Sequence, residues 1–124
     1  MKRGNFAPKV PANRNRARGP ANGSGNMSVI GVVATLKVQA GKEAEFEKVF
    51  GELRSKVKAN EKGCLQYDFF KSKSEPSTFV VMEQYASQAD LDAHGKTEYF
   101  RAAGPALGAV LGGAPTLLFL DKVE

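Results

Sequence analysis

Residues 64–86 read CLQYDFFKSKSEPSTFVVMEQYA. In the first third, Leu65, Tyr67 and Phe69 alternate on one face, the period of a strand with one buried side, so Cys64–Lys71 is expected to be a strand. SKSEPS has the composition of a turn. Apolar residues resume at Thr78–Ala86, and two such runs around a short polar turn predict an antiparallel hairpin.

A lone hairpin is marginal in water, so the flanks must supply the rest of the fold. Upstream, Phe46, Val49, Phe50, Leu53 and Val57 fall on one helical stripe, which predicts a helix over 42–59 with a charged outer face. Glu52 stands four residues before Lys56 on that face, a favourable pairing. Gly41 separates the helix from a strand at Val29–Val38, with Ile30, Val32, Leu36 and Val38 on one side. Downstream, Ser87 and Asp90 resemble a capping box with Asp in place of Glu or Gln. The box opens a short helix ending near His94, with Gly95 expected as its left-handed stop. Thr97 caps a second helical piece carrying Phe100, Ala103, Leu107 and Val110. Pro105 removes a donor inside it and predicts a kink or break near Gly104. Pro115 leads into a last strand, Thr116–Val123.

The order β-α-β-β-α-β is the ferredoxin-like α+β arrangement, an antiparallel sheet with its helices on one face. Such a sheet should alternate apolar and polar residues. Here Val29 and Val33 oppose the Ile30 face, and Leu118 and Leu120 oppose Leu117 and Phe119. The second face therefore needs a cover, and a second copy of the chain is the economical one, so a homodimer is expected.

Length and charge bound the rest. The chain has 124 residues, the size of one domain, placed at 27–124. Its net charge of +5 is concentrated: residues 1–26 hold Lys2, Arg3, Lys9, Arg14, Arg16 and Arg18 and no acid, leaving the remainder at −1. That tail is too polar to bury surface and is expected to be a disordered basic extension; nucleic-acid contact through it is the weaker reading. The tail lacks the apolar stretch of a signal peptide. No run approaches the roughly 18 apolar residues of a membrane-spanning helix. Cys64 is the single cysteine, which excludes an internal disulfide and fits a reducing, cytoplasmic setting. One histidine and one cysteine do not make an ordinary zinc site. Glycine loops of the GxGxxG or GxxxxGK[ST] type are absent.

The chemistry-bearing residues gather in 83–101. His94 is the one side chain whose ordinary titration lies near neutrality, a candidate general base; the plainer alternative is a histidine bonding the last carbonyls of its helix. Tyr85 and Tyr99 are candidates to line a pocket, ring stacked and hydroxyl bonded to a substrate oxygen, with ordinary core packing as the competing role. Tyr67 and Phe100 read first as core, and Glu83 first as a structural hydrogen bonder, a base only if burial raises its pKa. Arg101 is a candidate partner for an anionic substrate or a carboxylate, beside the usual role of a solvated arginine.

Strand one, the helix AGKEAEFEKVF, then GCLQYDFF, FVVMEQYASQADLDAH and TEYFRAAGPAL together resemble the antibiotic biosynthesis monooxygenase domain, over about residues 29–123. The likeness is greatest to small quinol monooxygenase-like proteins. The resemblance implies a dimeric α+β barrel. For some members it implies oxygenation of quinols or polyphenols without metal, flavin or haem, the deprotonated substrate itself passing an electron to oxygen. The expected catalytic residues are His94, Tyr85 and Tyr99, and the expected contacts to a small aromatic or quinone-like ligand are Tyr67, Glu83, Phe100 and Arg101. Departures are informative. Tyr85 stands where tryptophan is frequent in the family and Tyr99 where a second histidine is frequent. Ala34 and the Gly104 region lack the asparagine and histidine of haem-degrading relatives. The expected function is a cofactor-independent monooxygenase. The alternatives are a non-catalytic hydrophobic-ligand-binding or stress-associated dimer, or an isomerase of small diones.

Overall fold

The computed structural model describes residues 28–123, and the basic tail expected at 1–26 lies outside them. The chain runs β1 (Ile30–Lys37), α1 (Glu43–Asn60), β2 (Cys64–Lys71), β3 (Thr78–Tyr85), α2 (Gln88–Gly95), α3 (Glu98–Val110) and β4 (Thr116–Asp121). The strands form one four-stranded sheet in the order β2-β3-β1-β4, every pair antiparallel. This is the ferredoxin-like architecture, with the second crossover made of two helices.

Period-2 patterning decides which side of β1 is buried. Ile30, Val32, Ala34 and Leu36 point toward the helices and are almost inaccessible. The α1 stripe meets them through Phe46, Phe50, Leu53 and Val57. Phe46 packs on Phe79 at 4.6 Å between ring centroids, and Phe50 on Phe69 at 4.8 Å and on Tyr67 at 5.6 Å. α3 closes the layer with Phe100, Gly104, Leu107 and Val110.

Three local expectations are corrected. Leu65 does not share the face of Tyr67 and Phe69: the pairing register shifts between Cys64 and Gln66, and the extra residue is turned outward, 53% exposed. Gly95 is not a left-handed stop; α2 ends through Lys96 at φ −101°, and Gly41, at φ 88°, is the described glycine with positive φ. Of the kink or break expected at Pro105, the break does not occur: the helix runs from Glu98 to Val110 with Pro105 inside it. Pro105 and Arg101 both lie on the exposed side of α3, where water serves the carbonyl left without a donor. The strand ends are also shorter than expected, β1 by one residue at each end and β4 by two at its end.

Away from the helices, the sheet presents Phe70, Met82, Leu118 and Leu120, each 40% exposed or more. Met82 and Leu118 flank Val33 in register, so the middle of this face is apolar. Toward β2 it becomes polar, with Gln84 donating to Gln66 at 2.9 Å.

Candidate active site around His94

Ser87 Oγ accepts from the Asp90 backbone N–H at 3.2 Å and donates to the Asp90 carboxylate at 2.9 Å, fixing the first turn of α2. Leu91 and His94, three residues apart, then share its inward face. Thr97 holds the far end, its hydroxyl donating to the His94 carbonyl at 2.9 Å while accepting from the Phe100 N–H at 3.3 Å. Gly63 abuts this cap. A Cβ there would lie 2.2 Å from Asp90 Cγ, so only glycine fits without displacing the carboxylate that accepts from Ser87.

The His94 side chain is 3% exposed. Its ring lies among Phe100 at 4.6 Å, Tyr67 at 5.2 Å and Tyr85 at 5.4 Å between centroids. Nδ1 faces the Glu61 carboxylate, 3.0 and 3.1 Å from its two oxygens. Tyr99 donates its hydroxyl to Glu61 Oε2 at 2.5 Å. Among the described residues Nε2 has no hydrogen-bond partner.

On the inner side, an enclosed cavity of about 20 Å3 separates the sheet from the helices. Val32, Ala34, Val81, Leu91 and Phe119 contribute to its apolar wall, and His94, Glu83 and Tyr67 are its polar members. Glu83 accepts from the Tyr85 hydroxyl at 2.7 Å, and burial nevertheless pushes its carboxyl above the ordinary glutamate value. The Tyr67 hydroxyl finds no hydrogen-bond partner among the described residues. Burial first, and the neighbouring Glu83 charge second, hold its pKa well above that of a free phenol. Tyr85 is raised by the same two causes, and Tyr99 by burial and its bond to Glu61. These phenols therefore stay protonated and serve as donors. Cys64 is pushed up to about 12, mainly by burial, which leaves a neutral thiol with no nucleophilic character at neutral pH.

The residues singled out in the sequence are thus distributed. His94, Tyr67, Glu83 and Phe100 border the enclosed cavity. Tyr85 packs on the His94 ring and bonds Glu83. Tyr99 lies on the outer side of Glu61, in an open groove of about 700 Å3 that also borders Cys64, Asp90 and Thr97. Arg101 is exposed and borders neither space. Glu61 escaped the sequence reading. One local signal marks it: an acid just past the C-terminal end of α1, where the helix dipole disfavours negative charge, breaks a local rule and asks for a compensating partner. No group of three or more His, Cys, Asp or Glu side chains suited to a metal ion occurs among the described residues.

Fold and site together define a ferredoxin-like α+β protein with a buried histidine–carboxylate pair beside a small apolar cavity. Residues 29–106 match the antibiotic biosynthesis monooxygenase family, and the chain belongs to it. A crystal structure from Caulobacter crescentus CB15, provisionally named an antibiotic biosynthesis monooxygenase, shares 56% identity over 80% of this chain and 93% of its own, with a TM-score of 0.77. YcnE of Bacillus subtilis, provisionally named a monooxygenase, is 34% identical over 70 residues, 55% of this chain and 70% of YcnE. The uncharacterized protein sll1783 of Synechocystis is 31% identical over 69 residues; the match covers 56% of this chain and about half, 46%, of that protein.

Proposed function

We propose that this chain is a cofactor-independent monooxygenase that oxidises a quinol or aromatic polyketide-like substrate with O2. The observation that carries this reading is the meeting of His94, Tyr67 and Glu83 on one otherwise apolar, enclosed cavity. A phenolic substrate needs a base for its proton, a donor for its oxygen and walls that exclude water.

In this scheme His94 Nε2 takes the phenolic proton and the Tyr67 hydroxyl donates to the substrate oxygen. Removal of the proton leaves an electron-rich phenolate that passes one electron to O2. The radical pair combines to a peroxide anion at a ring C–H carbon. O–O cleavage with loss of that hydrogen leaves a carbonyl and releases hydroxide, balanced to water by the proton taken from the substrate. Glu83, held by Tyr85, is the second polar contact, and Phe100 stacks on the ring. Arg101 stays outside the scheme. At about 20 Å3 the cavity matches a single water rather than a ring. Leu117 and Phe119, its half-buried members on the edge strand β4, are the side chains that swing out to admit substrate.

The reading includes a homodimer joined through the open sheet face, and a cytoplasmic setting. Among the described residues no helix is long and apolar enough to cross a membrane.

Oxygen consumption with a panel of quinols tests the scheme. His94→Ala is expected to lower kcat by about a hundredfold or more. Equal rates for the two proteins remove the role of His94. Turnover under argon would favour the dione isomerase, and thermal shifts with hydrophobic ligands without turnover would favour a binding protein.

A further inference from the structure

We infer that Glu61 is the positioning residue of this site: it fixes the His94 imidazole with its proton on Nδ1, and it carries the proton taken from substrate out to the open groove beside Tyr99. The second half rests on the monooxygenase reading; the first stands on geometry alone.

A carboxylate accepts and does not donate, so the 3.0 and 3.1 Å contacts place the ring proton on Nδ1. Nε2, without a hydrogen-bond partner among the described residues, is then the ring nitrogen left to act as a base. Both Glu61 oxygens are engaged, by His94 Nδ1 and by the Tyr99 hydroxyl on Oε2, and the second bond holds the carboxylate toward the ring. An acid at this end of α1 runs against the helix dipole, a small cost that the bonds from His94 and Tyr99 offset.

His94 is 3% exposed and Glu61 12% exposed, so the carboxylate is the wetter member of the pair. Glu61 borders the open groove of about 700 Å3, whereas His94 borders the enclosed cavity. When the substrate O–H breaks, its electron pair stays on oxygen and the proton bonds Nε2. The Nδ1 proton then moves to Glu61, and Glu61 releases it to water in the groove. No oxidant or reductant is needed. The ionisable groups around the pair are Cys64 and Tyr67 from β2, Glu83 and Tyr85 from β3, Asp90 from α2, Glu98 and Tyr99 from α3, and Lys62 beside Glu61. The phenols and the thiol remain neutral donors, so Glu61 is the group suited to pass a proton outward.

The single histidine makes the test direct. In untagged, 15N-labelled protein its ring nitrogens are the only imidazole signals. At the alkaline end of a titration the wild type is expected to carry its proton on Nδ1, and Glu61→Ala, which leaves no acceptor, to shift it toward Nε2. A wild-type proton on Nε2, or identical spectra for the two proteins, overturns the positioning role. This arm needs no substrate, and its wild-type half needs no variant to fold.

The kinetic arm uses quinol oxidation. Glu61→Gln should lower kcat by about tenfold or more with KM within about twofold, and Glu61→Asp should recover part of the loss. A change in KM alone, or an unchanged kcat, overturns the proton exit. If the wild type oxidises no quinol, the monooxygenase reading falls and the exit falls with it, while the spectra still decide the positioning role.

Discussion

Glu83 is an acid on the inward face of a central strand, and its neighbours decide its charge. Burial raises its folded pKa above the ordinary value of 4.5, partly offset by the Tyr85 hydroxyl and by His94. The native state therefore holds this proton to higher pH than the unfolded chain does. Its contribution is most favourable below the unfolded value and is lost as pH rises through the folded one. Glu83→Gln keeps the shape and an acceptor for Tyr85 but removes the titration. It is expected to be more stable than wild type at about pH 8 and no different at about pH 4, in urea midpoints measured at both. A variant less stable than wild type at the higher pH would mean that Glu83 is held charged by a partner. The alternation of β3 sufficed to place Glu83 inward. Whether it was paired depended on Tyr85, two residues along the same strand, whose hydroxyl orientation no periodicity encodes.

At the scale of elements, α2 is short, and what fixes it lies at its ends. Ser87 and Asp90 were legible as a cap because capping is a local relation between near neighbours. Gly63 was not, since its requirement arises from a carboxylate 27 positions later in the chain. Gly63→Ala pushes the Asp90 carboxylate off the Ser87 hydroxyl and is expected to cost about 1 kcal/mol, the usual worth of one hydrogen bond, read by thermal or urea unfolding. The same variant should loosen His94 and lower quinol turnover more than its stability loss explains. Wild-type stability and turnover would show that Asp90 moves aside without cost. The bulge at Leu65 and the unbroken α3 have the same origin. Strand pairing and solvent access overrode the local pattern, the first by a register shift and the second by putting Pro105 where water replaces the missing donor.

For the whole molecule, the open face of the sheet is the decisive surface. Met82, Val33 and Leu118 lie side by side across three strands, with Leu120 and Phe70 exposed nearby. Left wet, this face forfeits the burial that its opposite face enjoys, and a stable pair of copies would bury on the order of 1,200–2,000 Å2 in all. Sedimentation at micromolar concentration should give a two-copy particle for wild type and a one-copy particle for Leu118→Asp. A wild-type particle of one copy would remove the dimer from the proposal and leave the His94 site unaffected, because every residue of that site lies in one chain.

The sequence by itself determined the order of strands and helices, the inward stripe of α1, the inward alternation of β1 and β3, and the cap that starts α2. These depend on spacings of a few residues, which the backbone's own periods of 2.0 and 3.6 convert into faces. The tertiary structure alone decided that Glu61 meets His94 across 33 residues of chain, that Tyr99 turns outward to that carboxylate, and that the cavity closes to about 20 Å3. Pairings of that kind are set by how α1, α2 and α3 pack over the sheet, and packing reads shape and volume over distances that local spacing does not span.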